Sequence, residues 1–172
     1  VYTTSAIDLP LGKILGFDIM DIIMDGQVSS LVYIQYLTTV FDNIADGILL
    51  INIEGPSSYR LTMANKPFFA FTGYPADSVG KKISEFLAND QHTFLSRQFR
   101  KVIKTKKPVD YTRWTETPTG LRAISGHLVP IFGTTGNTVQ IAAIIHDCTE
   151  QEQLREEVSR LRETVRGIKS SI

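Results

Sequence analysis

With 172 residues the chain has room for one ordinary domain plus an appendage, or for two very small domains. Eighteen Lys and Arg balance eighteen Asp and Glu, so no net field draws it to nucleic acid or an anionic membrane, and 42% hydrophobic against 21% charged residues exclude a disordered chain. Its single cysteine, Cys148, excludes an internal disulfide and any CxxC zinc or redox site. The apolar runs at 48–51 and 141–145 are too short to span a bilayer, and no signal-peptide pattern opens the chain, so the compartment reads as cytosolic. With Val rather than Met at position 1, the sequence reads as a piece of a longer protein.

Residues 1–30 form their own unit. Asp18, Asp21 and Asp25 recur at helical spacing over 13–25, and most of the remaining circumference is apolar, so this helix must bury most of its sides. It is either the end of a preceding domain or a flanking helix. Ser30 can cap a second helix carrying Leu31, Ile34, Leu37, Phe41 and Ile44 on one side. Asp46-Gly47 breaks that pattern, and 48–53 reads as a buried strand, followed by a Gly-Pro-Ser-Ser turn and a second strand over 59–64.

Pro67, Gly73, Pro75 and Gly80 cut residues 65–89 into short pieces. Helical spacing returns over 91–105 with Phe94, Leu95, Phe99, Val102 and Ile103, and Pro108 ends it. Three strands follow, over 109–116, 121–132 and 138–147, joined by Pro-Thr-Gly and Gly-Thr-Thr-Gly hairpin turns. Hairpins imply an antiparallel sheet, and the fold class is α+β.

The last segment, 149–172, carries a heptad seam. Leu154, Val158, Leu161, Val165, Ile168 and Ile172 are spaced 4, 3, 4, 3, 4, with β-branched residues at a and mostly Leu at d, a pattern that favours a parallel two-stranded coil. Glu150 can reach Arg155 of a partner copy, and Glu157 can reach Arg162. Antiparallel or intramolecular packing is the alternative. Thr149 and Glu152 are placed as the N-cap and N3 residues of a capping box, so a strand passes into the helix through a stiff joint.

From about residue 37 to 153 the chain resembles the PAS sensory domains. Asp46-Gly47-Ile48 resembles that family's opening strand. Asn65, Phe68, Thr72-Gly73-Tyr74, Val79-Gly80-Lys81 and Ile83 resemble its Asn-x-x-Phe, Gly-Tyr and Gly-Lys landmarks. Pro130-Ile131, Gly136 and Asp147-Cys148-Thr149-Glu150 resemble its last hairpin and Asp-x-Thr exit motif. The resemblance implies a five-stranded antiparallel sheet with short helices over one face, here over 31–148, enclosing a pocket. The expected mechanism is a relay from the sheet through Asp147, Thr149 and Glu152 to the coil, and the resemblance implies a downstream output domain: a histidine kinase, a nucleotide cyclase or a transcriptional activator.

Photoactive flavin-binding relatives carry Gly-x-Asn-Cys where this chain has Gly80-Lys81-Lys82-Ile83, so the resemblance implies no flavin photochemistry. His92 stands earlier than the position of a haem ligand, so haem is not expected either. Strand alternation puts Ile124 and Leu128, and Val139, Ile141, Ala143 and Ile145, on inward faces, with His127 and His146 outward. Met63, Phe69, Ile83 and Phe94 are expected to complete an apolar pocket wall. A ligand there would be an apolar small molecule, and a filled core with no ligand, serving as a dimerisation scaffold, is the alternative.

Other signals are structural. Arg97, Arg100, Lys101, Lys104, Lys106 and Lys107 read as a solvated helix face, and Tyr111, Arg113 and Trp114 as sheet packing. The three His lack metal-site spacing, and no nucleophile elbow or phosphate loop is present. The expectation is therefore a homodimeric sensor module without enzymatic activity, metal, nucleic-acid partner or membrane partner.

Overall fold

The structure, a computed structural model, describes residues 30–169, with side chains for residues 32–166. The expected helix over 13–25, the side chain of Ile168 and the whole of Ile172 lie outside the described residues. The chain divides into two units between Val40 and Phe41. Helix α1 (Ser30–Asn43) crosses that division, and its first part is what is described of the first unit.

In the second unit, strand β1 (Gly47–Gly55) and strand β2 (Ser58–Ala64) form the first hairpin. Helix α2 (Lys66–Thr72), two single 3-10 turns (Ala76–Ser78 and Ile83–Glu85) and helix α3 (Asn89–Thr105) follow. Strands β3 (Val109–Thr117), β4 (Gly120–Phe132) and β5 (Thr138–Asp147) lead into helix α4 (Thr149–Lys169). The five strands make one antiparallel sheet in the order β2-β1-β5-β4-β3, so the last strand inserts at the centre beside the first.

Register across the sheet aligns the buried positions into rows. Leu49, Ala143, Leu128 and Val109 form one row, and Gly47, Ile145, Gly126 and Tyr111 the next. Over this face pack α2, the 3-10 turns and α3, and the core between the two layers includes Leu61, Ile141, Val102 and Phe99. Tyr59 meets Phe99 edge to face with ring centroids 4.9 Å apart. Both glycines of the second row are explained by close approach. A Cβ on Gly126 would lie 2.4 Å from the Tyr111 ring, and one on Gly47 would lie 3.2 Å from the Phe68 Cα.

One side chain, Asn65, ties the first hairpin to α1 and α2. It is fully buried; its Oδ1 accepts the backbone N–H groups of Ile48 at 2.9 Å and Phe68 at 3.3 Å. Its Nδ2 donates to the carbonyls of Phe41 and Asp46, each at 2.9 Å. Asn65 is also the N-cap of α2, where Pro67 occupies the first turn without wasting a donor.

Two residues expected to face inward, Met63 and Val139, turn outward for one reason. The β1–β2 register skips Thr62, whose hydroxyl donates to the Leu50 carbonyl at 3.0 Å, and the skip turns Met63 outward, 47% exposed. The β4–β5 register skips Val139 in the same way, leaving it exposed while Thr138 is buried. A single extra residue reverses the face of what lies beyond it. Elsewhere alternation holds: Ile141, Ala143 and Ile145 are buried, and His127 and His146 sit exposed, paired with Asp110 and Asp46.

Candidate functional site

Between the sheet and the helices over it lies a cavity of about 100 Å³. The floor comes from β1, β4 and β5, with Leu49, Ile124, Leu128, Ala143 and Ile145; Phe68, Ile83 and Phe94 close the other side. Six of the eight residues expected in the wall are there: Ile83, Phe94, Ile124, Leu128, Ala143 and Ile145. Met63 is not, because of the bulge at Thr62. Phe69 is not either; on α2 it is Phe68 that faces the cavity, while Phe69 packs edge to face against the Phe68 ring at 5.1 Å.

Seven polar side chains reach this apolar wall: Thr72, Tyr74, Gln91, Tyr111, Arg113, Thr115 and Thr117. Six are bonded within the protein, as buried polar groups must be. Gln91 is the hub: its Oε1 accepts the Tyr74 hydroxyl at 2.8 Å, and its Nε2 donates to Thr115 Oγ1 at 2.8 Å and to the Glu116 carbonyl. Thr72 Oγ1 donates to the Phe68 carbonyl, and Thr117 Oγ1 to the Gly120 carbonyl. The Arg113 guanidinium lies 4.5 Å from the centroid of the Phe94 ring and donates to the Trp114 carbonyl at 3.1 Å and to Asp90 at 3.2 Å. Only the Tyr111 hydroxyl has no hydrogen-bond partner among the described residues. Burial pushes its pKa up to about 12, against which the nearby Arg113 charge acts weakly.

Sequence reasoning missed Gln91, Tyr111, Arg113 and Thr115. Their signal was present: Val109, Tyr111, Arg113, Thr115 and Thr117 alternate along β3, and Gln91 stands one turn before Phe94 and Leu95 on α3. Trp114, expected to pack like its neighbours, points the other way and donates to Glu156 on α4 at 3.2 Å.

At the end of β5, Asp147 organises the exit. Its Oδ1 accepts the Thr149 N–H at 3.0 Å and the Thr149 hydroxyl, and its Oδ2 pairs with Arg122 on β4 at 3.2 Å. Thr149 Oγ1 in turn accepts the Ala123 N–H at 3.0 Å. The expected capping box is therefore corrected. The Glu152 N–H goes to the Cys148 carbonyl at 2.9 Å, Thr149 opens α4 from inside, and its hydroxyl is spent on the sheet. Glu152 contacts Arg155 at 3.3 Å instead. Along α4, Leu154, Val158, Leu161 and Val165 form a stripe whose members are each about half exposed.

Among the described residues no cluster of metal-ligating side chains occurs, and no helix is long and apolar enough to cross a membrane. His92 lies outside the cavity wall, its Nε2 3.4 Å from Ser96 Oγ. Cys148 sits buried at the joint, where its Sγ donates to the Ala123 carbonyl at 3.3 Å; burial, before the nearby Glu152 charge, pushes the thiol pKa up.

Residues 35–105 match the family model of the PAS domain. No curated protein matches the chain in sequence. Among solved structures it is similar to an RNA-binding light-oxygen-voltage receptor at 19% identity and TM-score 0.64, over 80% of this chain and 39% of that one. It is similar to a PAS domain from Colwellia psychrerythraea at 17% identity and TM-score 0.57, over 69% of this chain and 98% of that one. A sensory box histidine kinase/response regulator from Burkholderia thailandensis E264 matches at 16% identity and TM-score 0.54, over 77% and 97%. The chain thus spans well under half the length of the light-oxygen-voltage receptor. At these identities the likeness is one of fold, and it neither assigns flavin to this chain nor excludes it.

Proposed function

On the premise that the chain contains a PAS domain, we propose that it is the sensor and dimerisation module of a larger cytosolic signalling protein, relaying occupancy of its cavity through Asp147 and Thr149 to a parallel coil of α4 helices and on to an output domain. The observation that carries this reading is the continuity of one strand. Ala143 and Ile145 of β5 form the cavity floor, and Asp147, two residues on, holds the start of α4. A ligand that binds one position of β5 better than another would bias the joint by that difference in affinity. The stripe on α4 supplies the dimer seam: four half-exposed apolar side chains at heptad spacing that a second copy would cover. No catalysis is assigned to these residues.

The residues present favour a small uncharged ligand over a large cofactor. A cavity of about 100 Å³ is smaller than the ~150 Å³ that accommodates benzene, and a three-ring flavin would have to displace its aromatic wall. Lys82 and Ile83 stand where photoactive relatives place Asn and Cys, and Cys148 is held at the joint, outside the wall. No histidine lines the cavity to ligate haem iron. The same small volume favours the second reading, a ligand-free scaffold whose core is nearly filled.

Native mass spectrometry of the purified chain separates these readings. A dimer carrying a discrete extra mass is expected for the sensor, and a dimer at the bare mass for the scaffold. A monomer would overturn the parallel coil.

A further inference from the structure

We infer that the Tyr111 hydroxyl is the polar contact of the cavity's ligand, and that the ligand is a compact neutral molecule of about one small ring bearing a single hydrogen-bond acceptor oxygen; this rests on the sensor reading above. The geometry singles out one atom. Every other polar side chain in the wall is already bonded within the protein, Gln91 through three contacts and Arg113 through two. Among the polar side chains of the wall, Tyr111 alone keeps a hydroxyl without a partner among the described residues. A wall group whose bonding capacity the protein leaves unused is available to a ligand, and a site built to bond one discriminates for the molecule that satisfies it.

The hydroxyl is also fixed in place. The Tyr111 ring lies over Gly126, close enough that a Cβ there would meet Cε1 and Cζ at 2.4 Å and the hydroxyl oxygen at 2.6 Å. The ring also meets Phe94 edge to face, with centroids 5.3 Å apart. A held ring spends little entropy when its hydroxyl engages a ligand.

Acceptor is preferred to donor on two grounds. With its pKa raised by burial, the phenol stays protonated and able to donate throughout the neutral range. Arg113, two residues on along the same face of β3, adds a positive field that favours a partially negative oxygen over an N–H. A carboxylate is disfavoured because the guanidinium is already paired with Asp90 and the rest of the wall is apolar. The volume of about 100 Å³ sets the size.

The test uses a shape-matched pair, cyclopentanone and methylenecyclopentane, which differ in having C=O or C=CH₂. Both are titrated into the whole chain and into Tyr111→Phe, with binding read from methyl chemical shifts of Ile124, Leu128 and Ala143. The substitution should weaken the ketone about fivefold and leave the alkene unchanged or slightly tighter. The carbonyl stretch of the bound ketone, read in the wild-type chain and so independent of how the variant folds, should move to lower wavenumber. Equal effects on both probes, or a carbonyl band at its hydrocarbon-solvent position, would overturn the role of Tyr111 while leaving the cavity reading intact. Absence of binding by either probe to the wild type would overturn both.

Discussion

Thr149 Oγ1 accepts the backbone N–H of Ala123 at 3.0 Å, so the first residue of the exit helix is bonded to the strand beside the one it leaves. A side chain suited by type to capping its own helix instead fastens that helix to the sheet. The joint at Asp147 is therefore a three-way junction of β4, β5 and α4, and movement of any one member strains the other two.

Replacing Thr149 by Val keeps the shape and removes the hydroxyl. Ala123 is fully buried, so its N–H would be left unsatisfied, and the expected loss is about 2 kcal/mol, more than the ~1 kcal/mol of a lost surface cap. Thr149→Ser should remain near wild type. Urea unfolding gives the magnitude, and faster hydrogen exchange at the Ala123 amide in Thr149→Val alone would locate it. A capping role predicts early exchange in the first turn of α4 instead.

Asn65→Ala strands four backbone groups at once, and should cost about 2–4 kcal/mol. Asn65→Asp keeps the two accepted bonds but turns a carboxylate oxygen toward the Phe41 and Asp46 carbonyls. It should therefore be destabilised at neutral pH and partly recover on acidification, when the protonated acid can donate again. Thermal melts of both variants across pH check this; equal losses at every pH would contradict it.

Ala143 lies in the floor row between Leu49 and Leu128, 3% exposed. Leu at this position adds three carbons directed at a cavity of about 100 Å³, so the void should be filled at a strain of about 1–3 kcal/mol. Loss of ligand mass in native mass spectrometry, with the dimer intact, is the outcome expected of a sensor. A scaffold would show only the small change in stability.

Alkaline pH should expose Tyr111. Its folded pKa of about 12 lies above the ordinary value of 10, so between these values the folded state holds a proton that the unfolded state has released. Its contribution is complete below pH 10 and is lost as pH rises through about 12, on the order of 2 kcal/mol. Burial raises Tyr59 and Tyr74 in the same direction. The measurement is therefore the difference between wild type and Tyr111→Phe in unfolding free energy at pH 9 and near pH 12; parallel curves would refute the assignment.

Much of the fold was legible because its signals are local. The apolar run over 48–53, the alternation over 138–147, Gly-containing hairpin turns and the helical spacing of Phe94, Phe99 and Val102 are written within short windows, and the strands and α3 lie within a few residues of their expected bounds. The wall residues read from strand alternation, Ile124, Leu128, Ala143 and Ile145, were found for the same reason. Met63 and Val139 were misplaced because a bulge belongs to the pairing of two strands, not to either strand's sequence.

The sequence by itself determined the α+β class, the antiparallel hairpins, the heptad stripe and the sites where helices break, all properties of neighbours along the chain. Only the tertiary structure decided that β5 inserts at the centre of the sheet, that Thr149 bonds Ala123 rather than its own helix, and that the Tyr111 hydroxyl is left without a partner beside a small cavity. Each of these depends on which distant groups compete for one donor or one volume. That competition is settled only when strands far apart in sequence come into register.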